Sequence, residues 1–161
     1  MNMLKSLTVA AIIAVLCVTA FAQDAPKPGY AEDLTVAQAL NVFSGLSQLT
    51  SYDSTDKDGK PVKVYYKFSP DLRILIAVNI DIGRAVQTRF QTAQNDLVMQ
   101  ISGGTGKVLE DNVGQFNVEV SKFMQAKALA SFHRIKAADL KLDDNQIPGP
   151  VLSLIVPILD R

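Results

Sequence analysis

Cysteine is almost missing from this chain: one residue in 161, Cys17, so no intramolecular disulfide and no thiolate metal cluster can form, and stability must come from packing. Tryptophan is absent and histidine occurs once, at His133. A zinc site built on several imidazoles is thereby excluded, and a carbohydrate platform lacks its best stacking residue. An excess of charge of either sign is also lacking, with 16 Lys and Arg against 16 Asp and Glu. Such a balance provides no field for steering onto nucleic acid or an anionic lipid surface.

What is present begins with an apolar run, Leu7 to Thr19, behind Lys5 and ahead of Ala20-Phe21-Ala22. A short positive end, an apolar stretch below the roughly 20 residues needed to cross a bilayer, and a small-x-small ending predict a secretory signal peptide over residues 1–22. Cleavage is expected between Ala22 and Gln23, with Ala20 and Ala22 as the small residues that signal peptidase admits. Cys17 is preceded by Leu16, too bulky for a lipidation site, and reads as a small hydrophobe in the discarded segment. Loss of Lys5 leaves 15 basic and 16 acidic residues in a mature chain that is periplasmic or secreted.

Residues 23–33 carry Pro26, Pro28 and Gly29 and predict a mobile tether before a single globular domain at 34–161. Thr35 and Gln38 form a capping-box pair, so a helix should start there and run to about Ser47 along the stripe Val36, Ala39, Leu40, Phe43 and Leu46. Ser51 to Lys60 is polar, ending in the turn pair Asp58-Gly59. Alternation from Val62 to Phe68 predicts a strand. Ser69-Pro70-Asp71 then opens a long amphipathic helix that should reach Ile101, with Asn79 and Gly83 inside its apolar stripe. Buried, Asn79 would need a hydrogen-bonding partner, and Gly83 would permit close helix contact or a bend. Ser102-Gly103-Gly104 is the stop.

A further helix is predicted from Val113 to Ala128 and a second strand from Ser131 to Lys136. The closing segment, Ile147 to Leu159, is the most apolar part of the chain after residue 22; Pro150 can open a short helix that Pro157 ends. It reads as a lid over the core rather than an exposed docking segment.

Candidate chemistry is sparse. Ser102-Gly103-Gly104-Thr105-Gly106-Lys107 resembles a phosphate-binding loop, but Ile101 and Val108 occupy positions that need Gly and Ser or Thr. Asp53, Asp56 and Asp58 before Gly59 resemble half a calcium loop, yet Ser54 and Tyr65 stand where acids are required. His133 lacks any nucleophile-elbow or other diagnostic neighbour. No catalytic, cofactor-binding or metal-ligating residues are therefore assigned, and no cofactor is expected.

The order of an aromatic strand (Tyr66-Lys67-Phe68), a helix with a mid-stripe Asn (Leu72 to Asn79), a helix holding Phe116 and Val120, then His133-Arg134-Ile135-Lys136 with Asp139-Leu140 and a closing apolar helix resembles small uncharacterised phage and prophage proteins. The resemblance implies an α+β arrangement and no known activity, so it transfers no site residues.

These readings converge on an α+β domain, mainly helical, in which a small antiparallel sheet built on residues 62–68 and 131–136 is covered by the long helix. Phe90 and Val120 are expected in its core, each costing about 2–5 kcal/mol on truncation to Ala. Functionally, the expectation is an exported, non-enzymatic protein-binding or structural module of the bacterial envelope, whose partner is another envelope or secreted protein. One alternative is a carrier holding a small apolar ligand under the C-terminal segment; another is a hydrolase using His133.

Overall fold

The Thr35 and Gln38 pair caps helix α1, Val36–Gln48, in both directions: Gln38 N–H donates to Thr35 Oγ1 at 3.2 Å, and Thr35 N–H donates to Gln38 Oε1 at 2.9 Å. In the computed structural model, which describes residues 29–160, this helix is the centre of the molecule. Its buried Ala39, Val42 and Leu46 face the core. Helix α2, Pro70–Ile101, begins as the sequence predicts, with Ser69 Oγ accepting from Leu72 N–H at 3.2 Å. Its 32 residues extend roughly 48 Å. Helix α3 spans Val113–Gln125 and helix α4 Gly149–Ile155.

Two glycines set the helix crossings. A Cβ on Gly83 would fall 2.5 Å from Phe43 Cβ, so α1 and α2 meet at a distance only glycine allows. Gly45 does the same for α1 against α4, where a Cβ would lie 2.8 Å from both Leu154 Cβ and Ile155 Cγ2. The C-terminal segment is indeed a lid: Ile147, Val151, Ile155 and Ile158 are buried in the main core. These side chains are part of the core that the segment closes.

The strands form three two-stranded pairs rather than one sheet. Strand β1, Tyr30–Ala31, is antiparallel to β4, Phe132–His133. Strands β2, Tyr52–Thr55, and β3, Pro61–Val64, make an antiparallel hairpin. Strand β5, Ile135–Lys136, runs parallel to β6, Leu159–Asp160. The whole is a mixed α+β domain, mainly helical, with four α-helices among the described residues.

Several expectations need correction. Residues 29–33 are not tether: Ala31 and Leu34 are buried, and Arg134 N–H donates to the Gly29 carbonyl at 2.8 Å. The predicted strand 62–68 stops at Val64, because its continuation is held by side chains instead of a neighbouring strand. Arg73 Nη2 donates to the Tyr66 carbonyl at 3.1 Å, and Lys67 N–H donates to Asn145 Oδ1 at 2.7 Å. Tyr66 and Phe68 are buried as the alternation implied, but Val62 is exposed on a hairpin that the long helix does not cover. Helix α3 ends at Gln125, before Ala128, since the chain turns extended at Ala126 to pair with the segment entering α1: Val36 N–H donates to Ala126 O and Ala128 N–H to Leu34 O, both at 2.8 Å. Phe90 and Val120 are only half-buried. Their apolar stripes lie on parts of α2 and α3 that extend past the core.

Candidate functional site

The residues that the sequence singled out within 29–160 each have a place. His133 stacks against Tyr30, ring centroids 4.6 Å apart and planes tilted by 44°. Its backbone is clamped by Asn79, whose Nδ2 donates to His133 O at 2.9 Å and whose Oδ1 accepts from His133 N–H at 2.8 Å. The imidazole itself has no hydrogen-bond partner among the described residues, so no nucleophile or carboxylate converges on it there. Arg134 next to it donates from Nε to Tyr30 O at 3.1 Å and stands 3.6 Å from Asp160. This cluster ties the first and last described segments to the strand between them.

The acidic turn is the hairpin's own closure. Asp56 Oδ1 accepts from the N–H groups of Asp58 and Lys60, each at 2.9 Å, and Gly59 takes a left-handed φ of 79°. Asp53 lies in β2 opposite Lys63. Among the described residues, no three His, Cys, Asp or Glu side chains gather as metal ligands. The glycine-rich stretch is equally local: Gly104 N–H donates to Met99 O at 2.8 Å and Gly106 N–H to Ser102 Oγ at 2.9 Å. It terminates a helix, and the negative end of a helix dipole repels a phosphate.

Burial pushes the Tyr66 phenol above the usual tyrosine value, and Tyr52, whose ring is 5.1 Å away, adds to the rise. The neutral phenol is thus favoured in the folded state. Its stabilisation is complete below the unfolded value near 10 and lost as pH climbs through the raised folded value. Tyr66→Phe is expected to flatten that alkaline loss in a series of thermal melts from pH 8 to 11. An unchanged profile would assign the loss to other groups.

Among the concave places on the described surface, two lie on α2 where the linear chain did not mark them. A cleft of about 200 Å³ lies where α2, α3 and residues 126–129 meet, walled by Val36, Val86, Phe90, Ala93 and Phe123. Leu129 sits at its edge with a left-handed φ of 49° and 78% of its surface exposed. Left-handed backbone costs a non-glycine residue roughly 1–2 kcal/mol, and here it holds an apolar side chain in water. The Leu129 carbonyl meets Arg89 Nη1 at 3.4 Å. On the other side of Phe90, a groove of about 510 Å³ runs between α1 and α2.

Beyond the cleft, α3 contains no fully buried residue, although Val113, Phe116, Val120, Phe123 and Met124 give it an apolar face. Met99, Leu109, Val113 and Val118 are exposed. No helix among the described residues is long and apolar enough to cross a membrane. The proposed cleavage site at Ala20, Ala22 and Gln23 lies outside the described residues.

Fold and surfaces together define a small α+β domain with open concavities on both sides of Phe90 and a half-covered helix. No protein-family model matches the chain, and neither a curated protein nor a solved structure shows a significant match.

Proposed function

We propose that this protein is an exported, non-enzymatic protein-binding module of the bacterial envelope, and that the partner docks on α3 and the adjoining Leu129 edge. The observation that carries the reading is an apolar helix face with no fully buried residue, beside a leucine held exposed at an unfavourable backbone angle. Folding alone recovers neither cost. Apolar surface collected in one region of a soluble domain marks interaction sites, and a protein partner supplies the extended apolar contact that a face of this length needs. Export is supported by the leader-like pattern of the first 22 residues.

A photo-crosslinking residue placed at position 129 in cells should yield one discrete protein adduct, and Leu129→Asp should abolish capture in a variant that still folds. Recovery of the free monomer alone would overturn the reading.

A second reading, carriage of a small apolar ligand, is favoured by the cleft lined by Val86, Phe90, Ala93 and Phe123. Relative to the sequence-based expectation, the ligand moves from beneath the C-terminal segment to the α2–α3 side. Native mass spectrometry of protein from its own cells would reveal the added mass.

A further inference from the structure

The groove between α1 and α2 has a lining of a different chemistry from the apolar cleft. At about 510 Å³ it falls within the roughly 300–1,000 Å³ of typical ligand clefts. Phe43 and Phe90 provide apolar surface, and Gln48, Gln87, Gln91 and Gln94 provide primary amides. No charged side chain lines it. A charged ligand entering would lose hydration without gaining a counter-charge. The complementary ligand is therefore uncharged, with both donors and acceptors.

The amides are arrayed, and three of them are free. Gln48 Nε2 is engaged by Ser44, at 3.2 Å to the carbonyl and 3.5 Å to the hydroxyl, whereas Gln87, Gln91 and Gln94 have no intramolecular partner among the described residues. Their i, i+4, i+7 spacing puts them along one face of α2. The four-residue step from Gln87 to Gln91 is roughly 6 Å along the axis, close to the roughly 6.6 Å between residues i and i+2 of an extended chain, which present their N–H and C=O along the same edge, and Gln94 continues the row. A primary amide donates and accepts at once. It can therefore pair with both the C=O and the N–H of a peptide backbone.

We infer that the α1–α2 groove binds an uncharged, extended peptide segment of the partner protein, with its backbone bonded by Gln87, Gln91 and Gln94 and its apolar side chains set on Phe43 and Phe90. The inference rests on the protein-binding reading but uses a surface separate from α3. Recognition here is by main-chain bonding, with the two phenylalanines selecting apolar side chains at the positions that reach them.

The test is NMR titration of the full-length purified protein, following the side-chain NH2 signals of these glutamines. The probes are a pool of end-blocked eight-residue peptides made only of uncharged residues, the same pool N-methylated at alternate amides, and a neutral glucose pentamer. The unmodified pool should shift all three signals, N-methylation should weaken binding at least tenfold, and Gln91→Glu should do the same with an unchanged far-UV spectrum. Silent glutamines, shifts indifferent to N-methylation, or shifts given by the sugar alone would overturn the inference. Capture at position 129 alongside silent glutamines would remove the groove and leave the protein-binding reading standing. A responsive groove with no adduct at position 129 would support the peptide site and overturn docking on α3.

Discussion

Replacing Asn79 by alanine is expected to lower the unfolding free energy by about 2–5 kcal/mol, among the largest effects of any single substitution in this protein. Asn79 is fully buried on α2 and spans to the strand opposite, satisfying both the N–H and the C=O of His133. Alanine removes both bonds at once and leaves two backbone groups competing for water that the site admits poorly. Each orphaned group costs about 1–3 kcal/mol, while an ordinary hydrogen bond contributes only about 1. Asn79→Asp separates the roles, because a carboxylate still accepts from the His133 N–H but confronts its carbonyl with negative charge. Chemical denaturation should rank wild type above both variants, with Asp no better than Ala near neutral pH. An alanine variant within about 0.5 kcal/mol of wild type would show that the clamp is dispensable.

Phe132→Ala should be comparably severe, at about 3–5 kcal/mol, whereas Phe90→Ala should cost less than about 2. Both are phenylalanines on apolar stripes, but Phe132 has no exposed surface and is the largest fully buried side chain among the described residues. Its removal opens a cavity beside α2 and β1, the elements against which β4 packs. Phe90 is half-exposed between two concavities, and truncation there enlarges openings that already face the outside of the molecule. Urea unfolding of the two variants side by side decides the matter: equal losses would place Phe90 in the core after all.

The capping signals were legible residue by residue. Thr35 with Gln38, Ser69 with Pro70, and Ser102 with the following glycines all act through hydrogen bonds closed within five residues. Asn79 was legible as a demand for a partner, though not as to which. Gly83 was readable as a close approach but Phe43 was not readable as its neighbour. Residues 52–55 were missed as a strand because polar Asp53, Ser54 and Thr55 carry no alternation, and only their register with 61–64 makes them one. Asn145 was missed entirely, hidden in a polar stretch until its 78-residue link to Lys67 is seen.

The candidate surfaces follow the same division. The glutamines at 87, 91 and 94 share a helical face on spacing alone, yet nothing local distinguishes a solvated face from the side of a groove. Likewise, the stripes through Phe90 and Val120 look the same as those through Leu72 and Ile76, since periodicity reports which way a side chain points and not what lies opposite.

Where the capped helices α1 and α2 start, where α2 stops and the absence of covalent crosslinks among the described residues follow from the order of residues, because those properties depend on neighbours a turn away. Which strands pair, which apolar face is covered and where the two concavities open were decided only when distant segments met. Most of those outcomes depend on the fit of segments distant in the chain, as between Asn79 and His133, 54 residues apart, and no short stretch of chain encodes its partner.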